Sequence, residues 1–498
     1  MTDADVVIVG SGMGGATLAA ALAPGGRRIL ILERGERLND SPEARDAEAI
    51  FARGHYRPEE TWLTPEGERF NPGNYSCVGG NTKFYGAVLM RYRAEDFAPR
   101  RHMGGDSPGW PLSYAEIEPW YQKAEALYRV RGALGHDPTE PEHSGPYPFP
   151  PVPDEPEIAD LRKRLAAAGL HPAHLPLGVD LDKWLARAAT PWDAFPDTTG
   201  GKLDAESVGL AEALRHPNVA LRTGVTVERL EADESGRITA LLTSAGRITS
   251  DQVVLAAGAV HTPVLLLRSA TERFPAGLAN RSDQVGRNFM NHNCSALLAL
   301  SARRNRTVYQ KTLYLNDWYS SGGPNGEPLG NVQLLGRVSG PILAAQTGLP
   351  LAVARFLSAH AIDFYVMSED LPDPESRVTL SGGEIVLNWT RSNWNAHETL
   401  VARLKAALKR AGFPMTLSKP FDRRTPSHQC GTARMGSDPD TSVVSPWGRS
   451  HDHGNLWIAD ASVLPTSAAV NPSLTIAAHA LRVADAMARA SASGVVAA

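Results

Sequence analysis

Cysteine is scarce: Cys77, Cys294 and Cys430 are the only three in 498 residues, and they lie far apart. An odd, scattered set excludes a disulfide framework and a zinc-ligand pattern, and points to a reducing, cytoplasmic setting. No apolar run reaches the ~20 residues needed to cross a bilayer, so no membrane span is expected. Neither sign of charge dominates, because 50 Lys and Arg stand against 54 Asp and Glu. With a net charge of -4 there is no basic face to hold nucleic acid. The chain starts with Asp3 and Asp5 and runs straight into apolar residues, without the basic segment and apolar core of a secretory leader. No internal repeat is visible. What remains is an ordinary globular composition with ample core, and about three domains' worth of residues.

The densest signal lies in residues 6–33. Val6-Val7-Ile8-Val9 is a continuous apolar run, as a parallel strand buried on both faces requires. Gly10-Ser11-Gly12-Met13-Gly14-Gly15 follows, and then an alanine- and leucine-rich run that reads as a helix. Gly10 permits the tight turn, Gly12 lets backbone approach a pyrophosphate, and Gly15 lets the helix pack close to the strand. The helix start aims free N–H groups at the phosphates. Ile29-Leu30-Ile31-Leu32 is a second strand, and Glu33 falls where a carboxylate can take both hydroxyls of an adenosine ribose. Strand, glycine turn, helix, strand and acid together make a dinucleotide site.

A second glycine pair, Gly79-Gly80 followed by Asn81-Thr82, offers another place for backbone to press against a flat or anionic ligand. Ser113 and Glu116 have capping-box spacing, and Pro119 reads as a first helical residue, with Trp120, Tyr121, Ala124 and Leu127 on one face. Residues 135–156, rich in proline, acid and histidine, read as a surface excursion with little core. Helices are expected at 158–168 and after Asp204, an N-cap. Strands are expected at 219–222, 225–227, 238–242 and 253–257, the last ending at Ala257-Gly258 and leading to an apolar helix at 264–267. Residues 290–422 alternate in strand fashion at 295–300, 332–338, 362–367, 378–380 and 385–389. A helix then starts at Asn395, with Glu398 completing a capping box. The apolar stretch 341–356 reads as a packed connection, with a lid or a membrane-docking loop as the alternatives.

A second constellation lies near the end: His428-Gln429-Cys430-Gly431-Thr432, then Asp460-Ala461, then Asn471-Pro472-Ser473-Leu474-Thr475. Asn471 and Pro472 read as N-cap and first residue of a helix whose positive end faces a group that gains negative charge. If the dinucleotide is a flavin that takes hydride from a carbinol carbon, the hydroxyl proton must leave too. That calls for a base within one hydrogen bond, with a pKa near neutral, and histidine is the default. Asn471 can donate to the same oxygen and fix the substrate. The His451-Asp452-His453 run reads as a solvated loop and no metal is expected; Cys430 reads as structural, and so does His292, with lining of the pocket as the alternative.

Four segments in order, residues 10–33, 78–86, 258–269 and from His428 onward, make the chain resemble a glucose–methanol–choline (GMC) oxidoreductase over essentially its whole length. Ala270 departs from the glycine usual in the third. The resemblance implies FAD in a Rossmann-like domain and an alcohol oxidised on the flavin. By position His428 matches the family's catalytic histidine, and Asn471 its partner, which is asparagine in some members and histidine in others. Asp460 and Ala461 match the stretch against the ribityl–phosphate portion, and Val227 the residue whose backbone reads adenine. The cofactor-binding set is then Gly10, Ser11, Gly12, Gly14, Gly15, Glu33, Gly79, Gly80, Asn81, Thr82, Val227, Ala257, Gly258, Asp460, Ala461, Pro472 and Thr475. Some members attach flavin covalently through a histidine in the second glycine motif. Residues 81–85 hold none, so the FAD is expected to be non-covalent.

The fold class expected is α/β: a Rossmann-like FAD-binding domain with an interleaved α+β substrate domain built on an antiparallel sheet. FAD-binding segments fall at 1–95, 204–289 and 425–498, a substrate-side excursion at 96–203, and the substrate domain at 290–424. Residues 367–378 are similar to bacterial sugar- and polyol-oxidising members, including pyranose-oxidase-like and C-glycoside-oxidising relatives, which implies a carbohydrate substrate. A sterol or aromatic alcohol is the alternative within the class. A hydroxynitrile-type lyase that keeps FAD as scaffold, or a flavin-binding protein without turnover, are the alternatives outside it. No motif encodes whether oxygen, a quinone or a protein takes the electrons.

Overall fold

A computed structural model describes residues 2–186, 193–425 and 428–492. The first apolar run forms the strand Ala4–Val9. It pairs in parallel with Ile29–Leu32 on one side and with the second half of Gly246–Leu255 on the other. Val219–Arg222 and Leu456–Ile458 extend this sheet at its two sides, also in parallel. Five parallel strands are thus gathered from widely separated parts of the chain. Beyond them Gly246–Leu255 turns back antiparallel with Ile238–Thr243, which pairs with Val227–Ala232.

Both faces of the parallel sheet are covered, which is why its strands are apolar throughout rather than alternating. Val6 and Ile8 face the helices Met13–Leu22 and Ser473–Ala492, while Val7 and Val9 face the core that includes Leu265 and Leu266 of the helix Gly258–Arg268. The glycines set how close the first helix comes. A Cβ on Gly15 would lie 2.1 Å from the Gly10 carbonyl oxygen, and one on Gly14 only 1.6 Å from that of Ala459.

The second sheet is six-stranded and wholly antiparallel, in the order Met415–Pro420, Asn293–Leu300, Ala361–Ser368, Asn331–Leu334, Leu313–Leu315, Ala173–His174. Strand alternation divides its residues. Leu297, Phe364, Val366 and Val332 pack on Leu400, Leu404 and Leu408 of the helix Trp394–Arg410. Ala296, Leu298 and Tyr365 face a large cavity.

Several local expectations shift. The strand expected at 225–227 begins at Val227 and runs on to Ala232. The helix expected at 264–267 begins at Gly258, with Pro263 inside it. Pro119 also lies inside a helix, Tyr114–Leu127, which starts at the Ser113–Glu116 capping box. One lost backbone bond there is outweighed by that cap and by the burial of Tyr114, Ile117 and Tyr121. The hairpin Arg377–Ser381 and Glu384–Asn388 leaves the six-stranded sheet and joins Trp62–Leu63 and Arg69–Phe70 in a separate one. The helix expected from Asn395 has Asn393 as its N-cap, in a left-handed conformation and with no capping side chain. The Asn393 amide accepts from the Gly104 N–H and donates to the Glu369 carbonyl instead, so a tertiary tie replaces the cap. Regular helix after Asn471 starts at Ser473, one residue beyond Pro472. In the 135–156 excursion, Asp137 is buried against Arg93.

The 341–356 stretch forms two helices, Gly340–Thr347 and Leu351–Ala359, broken at Gly348. Ile342 and Leu343 of the first close over the cavity, whereas Leu351, Val353 and Phe356 of the second are exposed. Among the described residues no helix is long and apolar enough to cross a membrane.

Candidate active site

A cavity of about 1410 Å³ extends from the first glycine loop to His428 and Asn471. Pockets for drug-sized ligands hold roughly 300–1,000 Å³, so this one has room for a dinucleotide and a substrate together. Three helices begin on its wall: Met13–Leu22 at Gly12, Gly258–Arg268 at Gly258, and Ser473–Ala492 at Pro472. Their unsatisfied N–H groups and positive ends are suited to phosphates and to a ring that gains negative charge.

The space left by two glycines tests whether a dinucleotide fits. A Cβ on Gly12, whose φ is an ordinary -69°, would meet nothing within 4 Å, and one on Gly258 would also enter open space. The missing side chains at these two positions leave room in the cavity, whereas those at Gly14 and Gly15 leave room for neighbouring backbone. The residues therefore fit FAD.

Glu33 is buried and lines the cavity. Its Oε2 accepts from the N–H and Oγ of Ser11, at 3.1 and 2.7 Å, and its Oε1 accepts from the Gly35 N–H. Ser11 Oγ in turn accepts from the Gly79 N–H, so one hydroxyl ties the acid to both glycine motifs. Asp460, also on the cavity wall, does similar work, its Oδ2 accepting from the Gly258 N–H at 2.9 Å and from Thr262 Oγ1.

Of the cofactor-binding residues named from sequence, Gly10, Gly12, Gly14, Glu33, Gly79, Gly80, Asn81, Thr82, Val227, Ala257, Gly258, Asp460, Ala461 and Pro472 line the cavity. Three do not. Ser11 turns its hydroxyl to Glu33, Gly15 packs on Gly10, and Thr475 Oγ1 is spent on the Tyr121 hydroxyl 2.7 Å away, one turn into the helix and fully buried.

His428 and Asn471, 43 residues apart, meet at the other end. Asn471 Nδ2 lies 3.2 Å from His428 Nε2, and Nδ1 of the same ring is 2.9 Å from His292 Nδ1. The His428 backbone has φ 72°, which costs a non-glycine residue about 1–3 kcal/mol. The paired bonds between Met290 and Cys430 just beyond it hold the loop in place. Burial holds the His428 imidazole well below its usual pKa, and the neighbouring His292 and Lys311 lower it further, since a proton here would repel one on either of them. Asn471 Oδ1 accepts from Gln333 Nε2 at 2.9 Å, which turns the Asn471 amide nitrogen toward the histidine.

The wall beyond this pair is mixed. Leu298, Leu335, Ile342, Leu343 and Phe421 are apolar, and Tyr365 stands edge-on to His428 with ring centroids 6.4 Å apart. Lys311, 2 % exposed, pairs with Asp193, and the two lean over Gly86, where a Cβ would collide with both.

Sequence reasoning missed His292, Lys311, Asp193, Gln333 and Tyr365. His292, read as structural, touches His428 directly. A polar Gln333 and a tyrosine at inward positions of apolar strands were the available signals; Lys311 and Asp193 lie in irregular segments that carry none. In the 451–453 run, His453 Nδ1 donates to the Gly236 carbonyl and Nε2 accepts from the Ala279 N–H, both ring nitrogens serving the fold. Among the described residues no cluster of His, Cys, Asp and Glu is arranged to hold a metal. Cys430 is buried, and burial pushes its thiol pKa well up.

The chain is similar to known proteins over nearly its whole length. Residues 5–280 match the FAD dependent oxidoreductase family and residues 372–480 the GMC oxidoreductase family. The 6'''-hydroxyparomomycin C oxidase of Streptomyces lividus is 32% identical, covering 97% of this chain and 91% of its own. The fructose dehydrogenase large subunit of Gluconobacter japonicus is 28% identical, covering 97% of each. The pyridoxine 4-oxidase crystal structure from Mesorbium loti superposes with a TM-score of 0.67 at 20% identity, covering 98% of this chain and 99% of that one.

Proposed function

The chain belongs to the GMC oxidoreductases, and we propose that it oxidises a CH–OH group of a sugar or glycoside, with His428 as the base and Asn471 as a second hand on the same oxygen. The observation that carries this reading is the meeting of the two side chains on the wall of a cavity that also holds the glycine loop and Glu33. FAD, when bound, supplies the acceptor for the hydride. The residues that would hold it are the loop from Gly10 to Gly15 with Glu33, the 79–82 turn, Val227, Ala257-Gly258, Asp460-Ala461 and the start of the final helix at Pro472.

Burial keeps His428 unprotonated at neutral pH, so its Nε2 lone pair is ready to take the hydroxyl proton. Asn471 Nδ2 donates to the same oxygen, stabilising the charge that develops there and fixing which C–H is presented. Lys311 and Asp193 offer polar contacts for further hydroxyls, and Leu298, Leu335 and Phe421 an apolar face for the ring's C–H groups. The Lys311–Asp193 pair on the cavity wall favours a hydroxyl-rich substrate over a sterol. The relatives are named for oxidation and give no support to a lyase.

FAD is held without a covalent bond on this reading, because the 79–86 wall contributes no histidine to the cavity. Three free, buried cysteines suit a cytoplasmic setting. We divide the chain into FAD-binding segments 1–95, 204–289 and 425–498 and substrate-side segments 96–203 and 290–424. In support, the parallel strands come from residues 4–32, 219–255 and 456–458, and the six-stranded sheet from 173–174 and 293–420. The test is His428→Ala in the flavin-loaded protein. Anaerobic flavin reduction by a substrate sugar should slow by about 10²–10⁴-fold, the usual worth of a general base. A rate within threefold of the parent would refute the assignment.

A further inference from the structure

We propose that His292 is a positioning residue that holds the proton of His428 on Nδ1 and so leaves the Nε2 lone pair to act as the base. The inference rests on the reading of His428 given above. Two chains of hydrogen bonds, each starting from a group that can only accept, meet at that lone pair.

The first starts at the Ser467 carbonyl. A carbonyl has no proton to give, so His292 Nε2, 2.7 Å away, must carry one. His292 is 2 % exposed, and burial pushes its pKa to about 4, so the ring is neutral and its Nδ1 bare. His428 Nδ1, 2.9 Å from that bare nitrogen, is therefore the donor. A neutral His428 protonated on Nδ1 has its lone pair on Nε2.

The second chain starts at the Asp137 carboxylate, which Arg93 keeps ionised. Its Oδ2 accepts from Asn316 Nδ2 at 2.9 Å, and Asn316 Oδ1 accepts from Asn331 Nδ2 at 2.8 Å. Asn331 Oδ1 accepts from Gln333 Nε2 at 3.2 Å, and the same Nε2 donates to Asn471 Oδ1. Each amide is oriented by the one before it, and Asn471 ends with its Nδ2 aimed at His428 Nε2.

The opposite tautomer of His428 would fail at both ends. Two bare Nδ1 atoms would face each other across 2.9 Å, and an Nε2–H would face the Asn471 amide N–H groups. Once His428 has taken a proton, its Nδ1–H still has His292 to accept it, so the charged ring keeps that partner. Lys311 is a cation whose charge reaches this ring, and it opposes protonation without choosing between the nitrogens.

Two measurements on the flavin-loaded protein test this. In ¹⁵N-histidine NMR of the parent, His428 should show a pyridine-type Nε2 and a pyrrole-type Nδ1 at neutral pH; the reverse assignment overturns the proposal. In the second, His292→Phe removes the acceptor and His292→Gln restores one through its amide oxygen. The limiting rate of anaerobic flavin reduction by a sugar the parent oxidises should fall about 10²-fold or more in His292→Phe, in the direction of the ~10⁴ lost when a protease triad loses its tautomer-setting group. KM should move little, the pH profile should shift, and His292→Gln should recover at least tenfold. A His292→Phe rate within threefold of the parent, with an unchanged pH profile, overturns the proposal. If His428→Ala is equally harmless, the base assignment itself has failed; if His428→Ala abolishes reduction while His292→Phe does not, only the positioning role has. Should His292→Phe not retain flavin, the NMR of the parent decides.

Discussion

Gly12 and Gly14, two residues apart in one loop, should respond to the same methyl group in opposite ways. At Gly12 the backbone is already in a conformation alanine adopts freely, and a Cβ meets no protein atom within 4 Å. Gly12→Ala should therefore change the stability of the FAD-free protein by no more than about 0.5 kcal/mol. The methyl enters the cavity, however, where the cofactor's phosphates approach the backbone. Overpacking by one methyl costs about 1–3 kcal/mol, which at 1.4 kcal/mol per decade weakens FAD binding by roughly 5- to 140-fold. At Gly14 the methyl would sit 1.6 Å from the Ala459 oxygen, less than half the 3.4 Å at which ordinary contact begins. The helix or the strand before Asp460 must move, and a loss above about 4 kcal/mol is expected, enough to leave the variant largely unfolded. Urea unfolding of the FAD-free proteins reads the first effect, and titration with FAD by flavin fluorescence reads the second. A Gly12→Ala protein that binds FAD within twofold of the parent, or that is as unstable as Gly14→Ala, would show that the cavity's glycine wall is not where FAD lies.

Three further outcomes follow from buried groups and from the cavity wall. Acid denaturation should release all the flavin absorbance into the supernatant, whereas colour retained by the precipitate would reveal a covalent link. Because burial, His292 and Lys311 hold His428 well below 6.5, flavin reduction should be flat from about pH 6.5 upward and slow only in more acid solution; a rate still rising between pH 7 and 8 would contradict this. Glu369 is pushed up to about 8 by burial and by the nearby Asp96 and Asp370 charges. It keeps a proton that the unfolded chain loses near 4.5, so its contribution to stability is whole below about 4.5 and is lost as pH rises from there to about 8. Glu369→Gln should accordingly flatten the fall in urea midpoint between pH 5 and 8, and an unchanged slope would exclude that carboxyl as its source.

The parallel sheet was legible in sequence because strands buried on both faces must be apolar throughout, as Val6–Val9 and Ile29–Leu32 are. The six-stranded sheet was legible only in part. Alternation revealed Asn293–Leu300 and Ala361–Ser368, but Ala173–His174 and Leu313–Leu315 are too short to show a period. The Arg377–Ser381 hairpin alternates equally well, and nothing local says which sheet it joins. His428, Asn471 and the glycine loop stood out because their neighbours form dense motifs. His292 and Gln333 did not, since their part in the site depends on distances that the fold alone creates. Thr475 shows the converse, a motif residue whose hydroxyl is taken up by Tyr121.

The most direct test is anaerobic mixing of the flavin-loaded protein with a panel of sugars and glycosides while the flavin absorbance is followed. At least one of them should bleach the flavin of the parent, and bleaching should slow by about 10² or more in His428→Ala with the flavin still bound. Flavin that stays oxidised with every alcohol offered, or bleaches at the same rate without the His428 imidazole, would contradict this.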